Sequence, residues 1–317
     1  MAKKTNKKSL NTFVIKDLDS DKKNEHYGIF EHLIVGISIS DSEELSQLGF
    51  SKIHIQDAMI EFARYLLVHG AKLAYGGDLR SDGYTLLFSE LAFQYRSRQD
   101  QDKQHFINFS SFPIYLNISP KHKFEFIKNR VDFRPINPPE NLKISTKTFI
   151  PPIGNENKFI WAESLSKMRN EMNEATNARI FMGGKCRGYS GKYPGILEEA
   201  ILALETDIPT YFIGAFGGAS KSIIDLLLNR SSKEFTEDWQ FENKKYKDFY
   251  EYYNKQTKNI KINYTEISSY IKNYSLKRMC ENNGLNEKDN LRLFETTHIP
   301  EMIFLVLKGL SNKKANA

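Results

Sequence analysis

Cysteine is nearly absent: in a chain of 317 residues only Cys186 and Cys280 carry a thiol. Two thiols exclude a disulfide-stapled scaffold and a Cys-rich zinc ribbon. The seven histidines show no metal-ligand spacing, so no metal is expected. Long apolar runs are lacking as well, since nothing approaches the roughly 20 residues that span a bilayer, and no membrane partner is expected. Behind the lysines of the opening segment MAKKTNKKSLNTF there is no apolar stretch. That excludes a secretory signal there and makes the cytoplasm the expected location. The formal net charge is only +6, and the lysines gather loosely in the first 25 residues, from Lys244 to Lys261, and at Lys313 and Lys314. Such a diffuse excess lacks the clustered stripe of a nucleic-acid-binding surface, so nucleic acid is not the expected partner.

What is present is an α/β pattern. Residues 1–26 are polar and aperiodic and are expected to form a mobile tail. LIVGISIS then reads as a buried strand ending in serines, and a helical pattern carries Ile53, Ala58, Phe62, Ala63, Leu66 and Leu67 to a stop at Gly70. A strand over Lys72–Tyr75 runs into Gly76, Gly77 and Asp78, and a helix follows over Tyr84–Tyr95. Residues 96–110 read as polar connection and Phe112–Ile118 as a strand. Residues 121–152 hold five of the ten prolines and read as an irregular excursion over the surface, with covering a ligand as one use for it. The spacing predicts a helix over Trp161–Thr176.

The organising stretch is Ala178–Lys221, ARIFMGGKCRGYSGKYPGILEEAILALETDIPTYFIGAFGGASK. Two apolar runs, Ala178–Met182 and Thr210–Ile213, each end in glycine, and an amphipathic segment from Pro194 to Glu205 lies between them. A second helix is expected from about Lys221. Glycines at the carboxyl ends of parallel strands let a ligand approach the backbone, and the N–H groups of the following helix favour an anion. This loop pair and the Gly76–Gly77 loop are expected to border one cleft. Beyond Arg230 the chain is rich in Tyr, Lys, Asn and Glu at helical spacing. It ends in an apolar helix from about Pro300 to Lys308, stopped by Gly309 and docked on the sheet. The expected fold is a Rossmann-like parallel sheet flanked by helices, residues 27–230, with a helical extension over 231–317 packing on that core.

Gly76, Gly77 and Asp78, then Met168, Arg169, Glu171 and Met172, then Gly183 and Gly184, Pro194, Gly195, Glu198 and Glu199, and Gly217 and Gly218 occur in an order that resembles the SLOG superfamily. This superfamily includes the DNA-processing and lysine-decarboxylase-like proteins. The resemblance covers about residues 30–230 and implies a Rossmann-like domain that binds nucleotides or molecules derived from them. One branch hydrolyses the N-glycosidic bond of nucleoside monophosphates. Another comprises sensors in bacterial antiviral systems, which bind signals made from NAD or nucleotides, and the MRNEM and GAFGGA blocks look closer to it. The resemblance therefore implies a nucleotide- or NAD-derived ligand, and an effector protein or self-assembly as the response. The alternatives are an N-glycosidase and, third, a DNA-processing-like nucleic-acid binder.

In the hydrolytic branch a PGGxGTxEE loop binds phosphate and its first glutamate assists attack at the anomeric carbon, a role that falls to Glu198 here. Ile196 stands where that loop has threonine, and KCRGYSGKY is inserted before Pro194. Arg169 lies one residue later than the arginine of the branch's MHERK-like block when the two are aligned on Met172, about 100° around the helix. In the binding reading Lys185, Arg187 and Lys192 meet phosphates, Arg being suited to bidentate contacts. Tyr189 stacks on a base, Lys221 at a helix start offers a second phosphate site, and Ser38 and Ser40 meet ribose or phosphate. Gly195 and Glu199 complete the set. No cofactor is implied.

Overall fold

The computed structural model describes residues 28–77, 79, 83–95, 103–258 and 260–315. The expected tail, residues 1–26, and the candidate ligand residue Asp78 lie outside the described residues. Six strands form one parallel sheet in the order β4-β3-β2-β1-β5-β6: β1 (Ile34–Ser40), β2 (Lys72–Gly76), β3 (Phe106–Ser111), β4 (Asp132–Ile136), β5 (Ala178–Gly183) and β6 (Thr210–Ile213). Strand order reverses between β1 and β5, whose register pairs Gly36 with Arg179 and Ser38 with Phe181. In an open α/β sheet the crevice beyond the strand ends at this reversal is where ligands sit.

Alternation along the strands sorts side chains to two faces. Val35, Ile37, Ile39, Ile180 and Met182 join one core with α1 (Lys52–Val68), α2 (Tyr84–Tyr95) and, from the chain's end, α11 (Ile299–Ala315). On the other face lie α4 (Gly154–Ala175), over Ala74, Ile107 and Phe109, and α5 (Gly195–Glu205) and α6 (Gly218–Leu227), over Phe181 and Phe212. The same core takes in Phe249 and Tyr253 of α8 (Lys244–Gln256) and Tyr264, Ile271 and Tyr274 of α9 (Tyr264–Asn283). The short α7 (Glu237–Phe241) and α10 (Glu287–Glu295) complete the helical C-terminal region, and α3 (Pro120–Lys128) follows β3. This is a Rossmann-like α/β fold.

Five boundaries depart from the sequence reading. The third strand is Phe106–Ser111, not Phe112–Ile118, where a 3₁₀ turn runs from Ile114 to Asn117. Asn108, Ser110 and Ser111 made it look like a loop, yet all three are buried in a strand paired on both sides, with β2 and β4. The supposed irregular stretch 121–152 contains α3, capped by Ser119 with Pro120 at its first position, and β4. Pro135 is tolerated because β4 is an edge strand bonded only to β3. α4 begins at Gly154, well before Trp161, and α6 at Gly218, ahead of Lys221. α11 runs through Gly309 to Ala315 instead of stopping there. A Cβ at Gly309 would lie 2.6 Å from Cε1 of Tyr211, so this glycine serves close packing on β6.

Candidate functional site

The face of β1 and β5 opposite α1 carries a buried charge cluster. Arg179 enters it from near the start of β5 with its side chain fully buried, and Gly36 beside it supplies the room, since a Cβ there would lie 2.6 Å from Arg179 Cδ. The guanidinium of Arg179 donates to Ser38 Oγ at 2.6 Å and to the Glu199 carboxylate; Ser38 Oγ donates to Glu199 at 2.6 Å. Arg169, reaching in from α4, pairs with Glu198 and sits 3.6 Å from Glu199 Oε1. Glu198 also accepts from Ser166 Oγ and lies 3.5 Å from Lys192 Nζ. Glu198 and Glu199 fall in the first turns of α5, where the helix dipole favours negative charge. Burial alone pushes the Glu198 carboxyl up, but Arg169, Lys192 and the Ser166 hydroxyl outweigh it and hold the carboxyl below its ordinary range. Burial lowers the pKa of Arg179, and Glu199 opposes that shift.

Above this cluster, at the carboxyl ends of β1, β2 and β3, opens a cavity of about 230 Å³. Hydroxyls line it at Ser38, Ser40 and Ser111, and the backbone of Gly76, Gly77 and Gly195 forms part of its wall. Tyr75, Ile114, Trp161, Leu165 and Met168 supply apolar surface, and among the described residues Arg169 and Glu199 are its only charged lining residues. The Ser111 hydroxyl is buried without a hydrogen-bond partner among the described residues. Gly76 is required here for packing: a Cβ would lie 2.9 Å from the sulfurs of both Met168 and Met172. Glu198 does not line this cavity. It faces a separate one of about 510 Å³ with Lys192 and Tyr193.

The two glycine loops expected to hold phosphate already hold carboxylates. After β5 the loop N–H groups of Cys186 and Arg187 each donate to Glu43 at 3.3 Å, and Lys185 N–H donates to Ser40 Oγ at 3.3 Å. At the start of α6, Gly218 N–H donates to Glu44 Oε2 at 3.0 Å and Ala219 N–H to Gly184 O at 3.0 Å. Gly183, Gly184, Gly217 and Gly218 all have positive φ, which glycine adopts without strain. Lys221 contacts both oxygens of Asp225 at 2.6 Å, one turn on along α6.

The long loop between β5 and α5 is tied to the C-terminal helices. Arg187 pairs with Glu242 and stacks over Trp239, 3.8 Å from the ring centroid. Tyr189 Oη donates to Gln240 Oε1 at 2.9 Å and lies 2.7 Å from the Tyr264 hydroxyl, which is 3.0 Å from that of Tyr246. Burial pushes the phenols of Tyr189 and Tyr264 well above their ordinary range, so this cluster stays uncharged. Gln240 also donates to Cys186 O at 3.2 Å. Burial, reinforced by Glu43 and other carboxylates, pushes the Cys186 thiol far up, which leaves it a small apolar filler.

The structure thus brings Ser38, Ser40, Gly76, Gly77, Arg169, Gly195 and Glu199 together at one cavity, with Glu198 behind it. Arg187 and Tyr189 belong to a neighbouring cavity, Lys185 is exposed, and Gly217, Gly218 and Lys221 lie at the α6 start. Arg169 faces inward despite its offset along the helix, its guanidinium enclosed by Gly191 and Gly195. Sequence reasoning missed Arg179, Ser166, Ser111 and Trp161. The signal for Arg179 was visible: a lone charge inside the apolar run ARIFMG, on a strand beside a glycine. Among the described residues no group of three or more His, Cys, Asp or Glu is placed to hold a metal, and no helix is long and apolar enough to cross a membrane.

A protein-family model described as SLOG cluster2 matches residues 29–293. No curated protein matches the chain.

Proposed function

The chain belongs to the SLOG cluster2 family, and on that premise we propose that it binds a nucleotide- or NAD-derived small molecule as a sensor. Membership supports a nucleotide-related function in general terms, and the cavity at the strand-order reversal supplies a place for it. Its lining suits a nucleoside: hydroxyls for ribose, exposed glycine backbone for close approach, and Trp161, Met168 and Tyr75 for the flat base. The sensor role in bacterial antiviral defence rests on the likeness of the MRNEM and GAFGGA blocks to that branch. The ties from the loop after β5 to α7, α8 and α9 give binding a route to a partner surface.

The observation that carries binding over hydrolysis is the state of Glu198. Both carboxylate oxygens are engaged, by Ser166 and Lys192 on one side and Arg169 on the other, and the group does not line the nucleoside-sized cavity. A carboxylate with both oxygens engaged and turned away from the cavity is poorly placed to activate a water for attack at an anomeric carbon. The N-glycosidase reading draws on one observation, Arg169 beside Glu198 inside the site. Calorimetric titration with AMP, GMP and NAD, with chromatography of the recovered nucleotide, tests the choice. Binding with no free base formed is expected, and Ser40→Phe, which fills the cavity, should abolish the heat. Turnover that Glu198→Gln removes would make the protein a hydrolase.

A further inference from the structure

A second cavity of about 250 Å³ lies between the loop after β5 and α8. Ser190 lines both this cavity and the nucleoside-sized one, so the two meet across a single residue. Gly191, next in the chain, lines the second cavity while its Cα faces the Arg169 guanidinium: a Cβ there would lie 2.9 Å from Nη1. The partition between the cavities is therefore one stretch of backbone carrying a small side chain and no side chain at all.

The two cavities differ in charge. Among the described residues the first has one cation and one carboxylate on its lining, already paired within the buried cluster. The second is lined by Lys158 of α4, Arg187, and Lys245 of α8, and by no acidic residue among the described residues. Arg187 is engaged with Glu242, whereas Lys158 and Lys245 make no ion pair among the described residues. Tyr189, Tyr246 and Phe249 add aromatic surface. Cations without acids attract phosphate, and aromatic walls accept a ring. Each cavity alone falls short of the roughly 300 Å³ at which ligand pockets begin, and joined they lie inside the usual range.

From this juxtaposition we infer that the ligand is of the dinucleotide class. One nucleoside occupies the cavity over Ser38 and Gly76, the bridging phosphate group passes Ser190 and meets Lys158 and Lys245, and the second ring-bearing half lies against Tyr246. The inference rests on the nucleotide-binding reading and adds α8 to the ligand site. Phe249 also belongs to the core formed with α5 and α6, and Tyr246 packs against it.

Titration calorimetry on the full chain with AMP, GMP, NAD and the linear dinucleotide pApA tests it. NAD or pApA is expected to bind at least tenfold more tightly than AMP or GMP. The double variant Lys158→Ala, Lys245→Ala should bring the two classes within about twofold of each other. Both lysines lie on helix surfaces, and an unchanged thermal midpoint checks the fold; Lys245→Glu gives an independent variant with the same expected direction. Equal affinity for AMP and NAD in the wild type, or an advantage that survives in the double variant, overturns the inference while AMP binding keeps the nucleoside reading intact. Failure of all four nucleotides to bind overturns both.

Discussion

Replacing Arg179 by methionine should be among the most damaging single changes available in the sheet. Its guanidinium is fully buried and holds Ser38 and Glu199, so removal leaves a buried carboxylate short of its principal partner. Breaking a buried ion pair from one side costs about 3–5 kcal/mol. Arg169, 3.6 Å from the other oxygen of Glu199, still offers partial compensation and sets the expectation near the lower end, about 3 kcal/mol. With an unfolding entropy of about 2.1 cal/mol/K per residue, the range of 3–5 kcal/mol corresponds to a loss of roughly 4–8 °C in Tm. The cycle Arg179→Met, Glu199→Gln and the double variant, followed by urea denaturation, isolates the pair. Because the double variant removes both charges, it should be less damaged than the sum of the single variants by about 1–3 kcal/mol. Single variants that each cost under about 1 kcal/mol, or costs that simply add, would refute the reading of Arg179 and Glu199 as one coupled unit.

Three further outcomes follow from the same geometry. Glu198 has a folded-state pKa below its unfolded value, so its contribution to stability is complete above the ordinary glutamate range and is lost as pH falls through the depressed pKa. Thermal midpoints measured from pH 7 to pH 3 should fall, and Glu198→Gln should flatten that slope at its acid end. Gly76→Ala places a methyl against Met168 and Met172, an overpacking of about 1–3 kcal/mol by chemical denaturation, less if both sulfurs swing aside. Gln240→Ala removes the donor to Cys186 O and the acceptor from Tyr189, so amide exchange in residues 184–193 should quicken while that of β1 stays slow.

Much of this architecture was legible because its signals are local. The runs Ile34–Ser40, Lys72–Tyr75, Ala178–Met182 and Thr210–Ile213, each followed by turn residues, mark four of the six strands, and the first two of these line the cavity. Residues 106–136 were illegible for a physical reason. Asn108, Ser110 and Ser111 are polar residues buried by tertiary packing, and Pro135 survives on an edge, so neither pattern announces a strand. In the site, the glycines and the Glu198–Glu199 pair were visible, whereas Arg179, Ser111 and Trp161 come together only through strand register and the length of α4. The occupation of both glycine loops by Glu43 and Glu44 was hidden as well. These carboxylates lie about 140 residues or more along the chain from the N–H groups they meet, as the hydrogen-bond separations of 143, 144 and 174 residues show.

Binding without turnover is the central claim, and one measurement reaches it most directly. Purified protein is denatured and the small molecules released from it are identified by mass spectrometry, in parallel with a sample incubated with AMP, GMP and NAD. An intact nucleotide-derived molecule released from the protein, with added nucleotides recovered unchanged, is the expected result. Free base accumulating from an added nucleotide would contradict it and turn Glu198 into a catalytic residue.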